Sequence, residues 1–506
     1  MAKSKLTVAA ASVVAVLAVG YPAAAWYLGT QIEKAHADAR ALIATQPYLK
    51  VTSESYERGL FSASETTTIE IPAALFNPPG DKADDANASA EKPQPPFRIT
   101  VKTAIQHGPL PGFSTLAAGS EVSTIEFDEP LRTKIAEAFG TNQPFDVRTT
   151  YNFQGGGRST FASQPFKLVL PGDTPESKAM LSGERTDMVM EFSKGLSEYT
   201  LRGTAPSFAL SEPGGPSLVI SGMALDSQLK RVFPDEPMLY SGSQKITVAE
   251  VSVTPGDAAQ PGPEQKVALK DIAYDVQMPV AGDFMDVVAK MGANVVQVGE
   301  QNYGPAHYDF SLKHLHARKL VTLSRGFTAL YAKPEIFADQ NQLLQALAPL
   351  KAPLFDLLAD APILSIDRIA FRTTDGEANF NASIKLADPK PDDFSNPLML
   401  LAKLDAGANI ALPTTLIDSL IGNGRSEEEA QWARQSAERT LEQFKQQGYV
   451  TVENNLLKTS VTFKNGQLQV NGKPFNPMAA MLQHQSAQQE AETQAGIEAG
   501  EPAPQK

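Results

Sequence analysis

Cysteine is absent from all 506 residues. That excludes disulfides, iron–sulfur clusters, thiolate zinc sites and cysteine nucleophiles. It suits an oxidising compartment such as a periplasm, where a stray thiol is a hazard. Positive charge is also scarce: 44 Lys and Arg against 57 Asp and Glu leave a net charge of −13. Nucleic-acid binding needs a basic face, so that partner is excluded. Attachment to an anionic bilayer through charge is disfavoured for the same reason. The acidity is spread along the chain and reads as solubility. Catalytic signatures are missing too. There is no G-x-S-x-G elbow, no H-E-x-x-H and no P-loop lysine. No cofactor motif is legible.

What the chain does have is one long apolar run. Lys3 and Lys5 precede Leu6–Leu28, which holds no charged residue. At 1.5 Å per helical residue the run spans a hydrocarbon core of about 30 Å. The lysines favour a cytoplasmic N-terminus, and Trp26 and Tyr27 suit the far interface. Ala23 and Ala25 offer an A-x-A-like cleavage site, so a signal peptide is the rival reading. The apolar run continues past that site, which favours an uncleaved anchor. Either way the body lies outside the cytoplasm.

At roughly 100–200 residues per domain, two to four units are expected. The expected order is an anchor (1–29), a helical stalk (30–46), a β-rich region (47–333), a mixed helix and strand region (334–482) and a flexible tail (483–506). The segments 77–96 and 254–265 read as loops. Helices are expected over Glu335–Leu358, divided by Pro349 and Pro353, over Phe394–Leu404 and over Ser426–Gln447. In the last, Ser426 and Glu429 make a capping box and Gly448 a stop.

Alternation dominates elsewhere, as in Phe97-Ile99-Val101-Thr103-Ile105 and Phe145-Val147-Thr149-Tyr151-Phe153. Period two means one buried and one wet face, the mark of antiparallel sheet. Asn465-Gly466 is a type I′ turn pair. It pairs Phe463 with Leu468 and Val461 with Val470. A second pattern recurs with apolar residues at i, i+2, i+5 and i+7. It occurs at Leu218-Ile220-Met223-Leu225, Ile246-Val248-Val251-Val253, Val267-Leu269-Ile272-Tyr274, Phe310-Leu312-Leu315-Ala317 and Leu364-Ile366-Ile369-Phe371. A β-bulge at the step of three would restore one face. The expected fold is therefore α+β: mostly bent antiparallel sheet with packed helices, elongated, behind one N-terminal transmembrane helix.

Candidate chemistry is thin. His314 and His316 share a face at metal-like spacing, with Asp309 nearby, but Arg318 beside them disfavours a cation. His107 suits a general base at a strand end. The Gly108-Pro109 that follows suits a turn, and the turn reading is preferred. Gly155-Gly156-Gly157 lacks phosphate-loop spacing and suits a hairpin loop. Tyr56–Ser62 reads as a bent first strand or a juxtamembrane contact site.

Three short motifs carry a resemblance. They are Arg58-Gly59-Leu60-Phe61-Ser62, His107-Gly108-Pro109 and Gly466-Gln467-Leu468-Gln469-Val470-Asn471-Gly472. With the N-terminal segment, their order and spacing resemble the YdgA-like family of bacterial envelope proteins, whose function is not established. The resemblance implies a single-pass inner-membrane protein of a Gram-negative bacterium with a periplasmic body. It implies no catalytic residue. Two functions rank nearly equal: binding of an apolar ligand or lipid on a curved sheet, and an envelope scaffold or interaction module. An unrecognised periplasmic hydrolase ranks below both.

Overall fold

The computed structural model describes residues 2–46, 48–73, 95–171, 178–256, 266–331, 333, 336–337, 340–416 and 427–476. The side chains of residues 2–18 lie outside that set, as do most of the loop expected over 77–96, most of 254–265, the tail 483–506 and the cap Ser426. Of the expected membrane run Leu6–Leu28, the side chains of residues 6–18 thus fall outside it. Among the described residues no helix is long and apolar enough to cross a membrane.

The chain is mostly antiparallel sheet with a few helices, an α+β protein. It divides into two compact units, Met1–Pro362 and Ile363–Lys506. The first opens with the helix α1 (Ala2–Ala44). Its strands are β1 (Lys50–Arg58), β2 (Ser62–Ile71), β3 (Phe97–His107), β4 (Gly119–Phe127), β5 (Phe145–Tyr151) and β6 (Gly157–Ser163). There follow β7 (Phe166–Pro171), β8 (Lys178–Gly183), β9 (Asp187–Phe192), β10 (Glu198–Ser211), β11 (Ser217–Arg231) and β12 (Tyr240–Thr254). The last are β13 (Val267–Met278), β14 (Val280–Ala281), β15 (Phe284–Val298), β16 (Gln301–Tyr303) and β17 (Ala306–His316). Pairing runs antiparallel through β1 to β6, then β9 to β13, β15 and β17, with β7 and β8 attached at the end of β10.

Turn chemistry sets the hairpins. The triple glycine lies in the β5–β6 turn, where Asn152 Oδ1 accepts from the N–H groups of Gln154 and Gly156 at 3.0 and 3.1 Å. Such an Asx turn uses the short amide side chain as a surrogate backbone.

The step of three in the apolar pattern has two origins. In β17, Lys313-His314 stand opposite Asp286 alone, which shifts the register. His314 has φ +60, and its N–H donates to Asp286 Oδ1 at 2.8 Å. This is a bulge, as expected. In β11, β12 and β13 the expectation fails, because the register does not shift. Each neighbour carries its own irregularity at the same level. Pro206, Gly222, Ala249, Asp271 and Asn294 lie opposite one another on five consecutive strands. All five are exposed, and Gly222 and Asp271 have φ +63 and +51. The result is a crease running across the sheet. Every strand turns over together, so both flanks show their apolar residues on one face.

Short helices pack on this unit: α2 (Leu131–Phe139), α3 (Ala317–Leu330), α4 (Gln340–Leu347) and α5 (Lys351–Leu358). Pro349 sits in a 3-10 turn between the last two, where a missing N–H costs little. Two buried clusters result. Ile32 of α1 packs on Ala63, Ile105, Ala118 and Tyr151. Leu315 packs with Leu323, Leu350 and Leu357. Burying Ile32, 3% exposed, contributes about 1.5–3 kcal/mol.

The second unit holds β18 (Ile363–Thr373), β19 (Gly376–Leu386), β20 (Leu404–Pro413), β21 (Thr451–Glu453), β22 (Leu456–Lys464), β23 (Gln467–Val470) and β24 (Lys473–Pro474). Helices α6 (Pro397–Lys403) and α7 (Glu427–Gln447) accompany them. Gly448, with φ +76, donates to Lys445 O at 2.9 Å and stops α7 as expected. The Asn465-Gly466 hairpin has the expected register, Phe463 with Leu468 and Val461 with Val470. In β18 a true bulge places Asp367-Arg368 opposite Asn381.

Candidate functional site

Directly opposed residues of an antiparallel sheet share a face. One such row crosses thirteen strands of the first unit, from Tyr56 to Tyr308. Its start is polar: Tyr56, Glu65, Thr103 and Ser123. It then turns apolar through Val147, Phe161, Met188, Leu225, Ile246, Tyr274 and Met291. Beyond the crease run two parallel rows. One joins Phe208, Ile220, Val251, Leu269 and Val296, the other Leu210, Leu218, Val253, Val267 and Val298. Phe139 of α2 touches both Phe145 and Phe166, with centroids 5.7 and 5.2 Å away. Phe166 in turn meets Phe208 at 6.3 Å. Rows on both sides of the crease therefore open on the same face.

The opposite face is charged. Arg202, Asp226, Lys245, Asp275, Lys290 and Asp309 are directly opposed on six strands, with alternating sign. Opposed charges of opposite sign stabilise cross-strand pairing. The sheet is thus amphipathic. Its apolar face is covered by α1 at one end, by α2 beside it and by α3 and α5 at the other end. Between these covers Val253, Val267, Leu269, Met291 and Val298 stay exposed. The expected residues Ile246, Val248, Val251, Val253, Val267, Leu269, Ile272 and Tyr274 are thus brought together on one surface. An open groove of about 1040 Å³ crosses the ends of β5, β6 and β9 to β12, lined by Tyr151, Phe192, Tyr199 and Leu229 but also by Arg158, Glu191, Glu198 and Lys230.

Leu364, Ile366, Ile369 and Phe371 lie in the second unit. There Leu364, Ile384, Ala406 and Phe463 are directly opposed, as are Ile366, Ala382, Ala408 and Val461. These residues line an apolar hollow of about 310 Å³. Leu364 is half exposed. Small residues in the middle strands leave the hollow open.

Two of the three family-like motifs meet under α1. His107 N–H donates to Phe61 O at 2.9 Å, joining one motif to the other. His107 is 1% exposed, and its Nδ1 donates to the Ala25 carbonyl of α1 at 2.9 Å. That contact makes His107 a helix anchor. Gly29 allows it, since a Cβ there would lie 2.6 Å from the His107 ring. Gly108, with φ +130, faces Ala25. Arg58 donates to Thr30 Oγ1 at 2.6 Å, pairs with Glu33 at 3.1 Å and lies 5.5 Å from the Trp26 ring.

Further along α1 is a buried ionic network that the sequence reading missed. His36 Nδ1 bonds Glu65, and Nε2 bonds Glu121 at 2.8 Å. Tyr151 donates to Glu121 at 3.1 Å. Arg40 bonds Glu65 and pairs with Glu54 at 3.0 Å. Burial alone would lower the His36 pKa, but hydrogen bonds and charge from Glu121 and Glu65 outweigh it and raise it to about 9. Burial, then the same carboxylates, holds the Tyr151 phenol far above its ordinary range. The helical stretch expected over 30–46 is therefore ionically fixed to the sheet. The legible signal was the four-residue spacing of Ile32, His36 and Arg40, which puts all three on one helix face.

His314 and His316 both pack on Phe284, with centroids 3.9 and 5.5 Å away. Among the described residues no group of three metal-ligating side chains forms.

Residues 3–478 match the family described as "Bacterial protein of unknown function (DUF945)". "Protein YdgA" of Escherichia coli (strain K12) is 20% identical, over 92% of this chain and 94% of that one. No solved structure matches.

Proposed function

The chain belongs to the DUF945 family of bacterial proteins of unknown function, and for this member we propose non-enzymatic binding of an apolar ligand by a membrane-tethered body. The body lies on the periplasmic side, tethered by the uncharged run Leu6–Leu28. The ligand rests on the creased apolar face of the first unit, its acyl chain or chains lying across the strands.

One observation carries this reading. Apolar residues are directly opposed over strand after strand, yet stay partly exposed between the helices that cover the two ends. Exposed contiguous apolar surface on a folded protein marks a binding site. The apolar hollow of the second unit repeats the arrangement. The titratable cluster supports a binding role over catalysis, because both His36 nitrogens are engaged by carboxylates beneath α1.

The test is native mass spectrometry of the full chain after detergent removal, with organic extraction. Phospholipid or fatty acid at fixed stoichiometry, lost in Ile246→Asp, is the expected result. A clean apo mass overturns the reading and turns attention to protein partners.

A further inference from the structure

Two loops beside α1 are unusual for a chain that is 20% charged. Residues 59–64, the β1–β2 turn with the start of β2, and 108–120, the β3–β4 loop with the start of β4, hold no charged residue. Nor does α1 between Lys5 and Glu33. The structure brings these three stretches together. Tyr21 of α1 donates its hydroxyl to Leu110 O at 3.0 Å. Its ring lies 5.9 Å from Phe61 and 6.3 Å, stacked, from Phe113.

The side chains gathered there point to solvent. Phe113 is 84% exposed and Leu116 is 74% exposed, with Leu60, Phe61 and Leu110 also exposed. The backbone holds Phe113 out at φ +55, a conformation that a bulky side chain rarely adopts. Hydrogen bonds from Phe113 N to Leu110 O and from Ser114 N to Pro111 O lock that turn at 3.0 and 3.3 Å. Strain maintained in an exposed loop points to a function for the residue displayed.

We propose that these two loops and the flank of α1 between them form a bilayer-contact patch, with Phe113 and Leu116 entering the interfacial layer of a phospholipid bilayer. The chemistry fits one occupant. Aromatic and aliphatic side chains without charge prefer the boundary between headgroups and acyl chains. The patch is continuous with the uncharged part of α1, so a bilayer holding that helix meets the loops directly. The proposal rests on the membrane-tether reading of α1. It adds that the body is seated on the membrane, with its apolar face opening beside the point of entry.

The lack of native cysteine allows single-site labelling. Phe113→Cys, Leu116→Cys and, in the β10–β11 loop, Glu212→Cys are each labelled with bimane in the full chain. The chains are reconstituted in phosphatidylcholine vesicles carrying brominated acyl chains, and the same vesicles are extracted with alkaline carbonate. The expected result is loss of emission at positions 113 and 116, strongest with bromines near the headgroup, and none at 212. Unquenched label at 113 and 116 in a chain that resists extraction overturns the patch and leaves the tether standing. Quenching in a chain that carbonate releases upholds the patch and overturns the tether. Unquenched label in a released chain overturns both.

Discussion

His107 Nδ1 donates to the Ala25 carbonyl at 2.9 Å, linking the end of β3 to a helix 82 residues earlier in the chain. The ring fits only because position 29, one helical turn on, is glycine. Gly29→Val places a branched side chain against a buried imidazole and should destabilise the first unit by about 1–3 kcal/mol. Thermal unfolding followed by Trp26 emission reads the loss. Adding His107→Ala should return part of it, since clashing neighbours are not additive. Equal loss in the single and double variants would show that the ring contact is not the cause.

The His36 network makes stability depend on pH. The folded pKa, about 9, lies above the ordinary 6.5. His36 therefore contributes in full below about 6.5, by ~3 kcal/mol, and loses that contribution as pH rises through about 9. Glu65 is shifted the other way, since His36 and Arg40 outweigh the burial that would raise it. Its contribution is present above the ordinary carboxylate range and lost as pH falls. The unfolding midpoint of the first unit should drop as pH is taken through about 9, and His36→Gln should flatten that drop. An identical pH profile for both proteins would remove His36 from the account.

Ile246→Asp puts a carboxylate in the middle of the apolar row. Losing the burial of one such side chain against a ligand should weaken binding roughly ten- to hundred-fold. The site is only half buried, so the fold should survive. Lys245→Ala, next in sequence but on the charged face, should leave ligand recovery unchanged. Equal recovery from both variants would separate the ligand from this face.

Asn465 and Gly466 have φ +52 and +74, as a type I′ turn requires. Gly466→Val should cost the second unit about 1–2 kcal/mol, the usual penalty for a side chain in that region. Trp432, on α7, reports the change in a denaturant titration. An unmoved midpoint would mean that another turn type serves equally well.

That hairpin was legible because turn chemistry and hydrophobic alternation are both local and agree. The bulges at Lys313-His314 and Asp367-Arg368 were legible for a similar reason, since the apolar step of three sits on one strand. The same step at Val248-Val251 and Leu269-Ile272 means something different. Whether a neighbouring strand carries a matching irregularity depends on a pairing that one strand does not reveal. His36, Glu65 and Glu121 escaped for the same reason. Each is unremarkable in its own segment, and they meet only when α1 lies on the sheet. The glycine at 29 and the histidine at 107 were each visible, but their contact was not.

The crease has a consequence for assembly of the fold. A plain antiparallel pair that slips by two residues keeps every side chain on its proper face, and little in the hydrophobic pattern opposes the error. Here a two-residue slip would set Gly222 opposite an ordinary extended residue instead of Ala249, and so on across β10 to β15. Each misaligned pair would bend at two levels at once and lose hydrogen bonds at both. The line of irregular residues therefore acts as a proofreading mark.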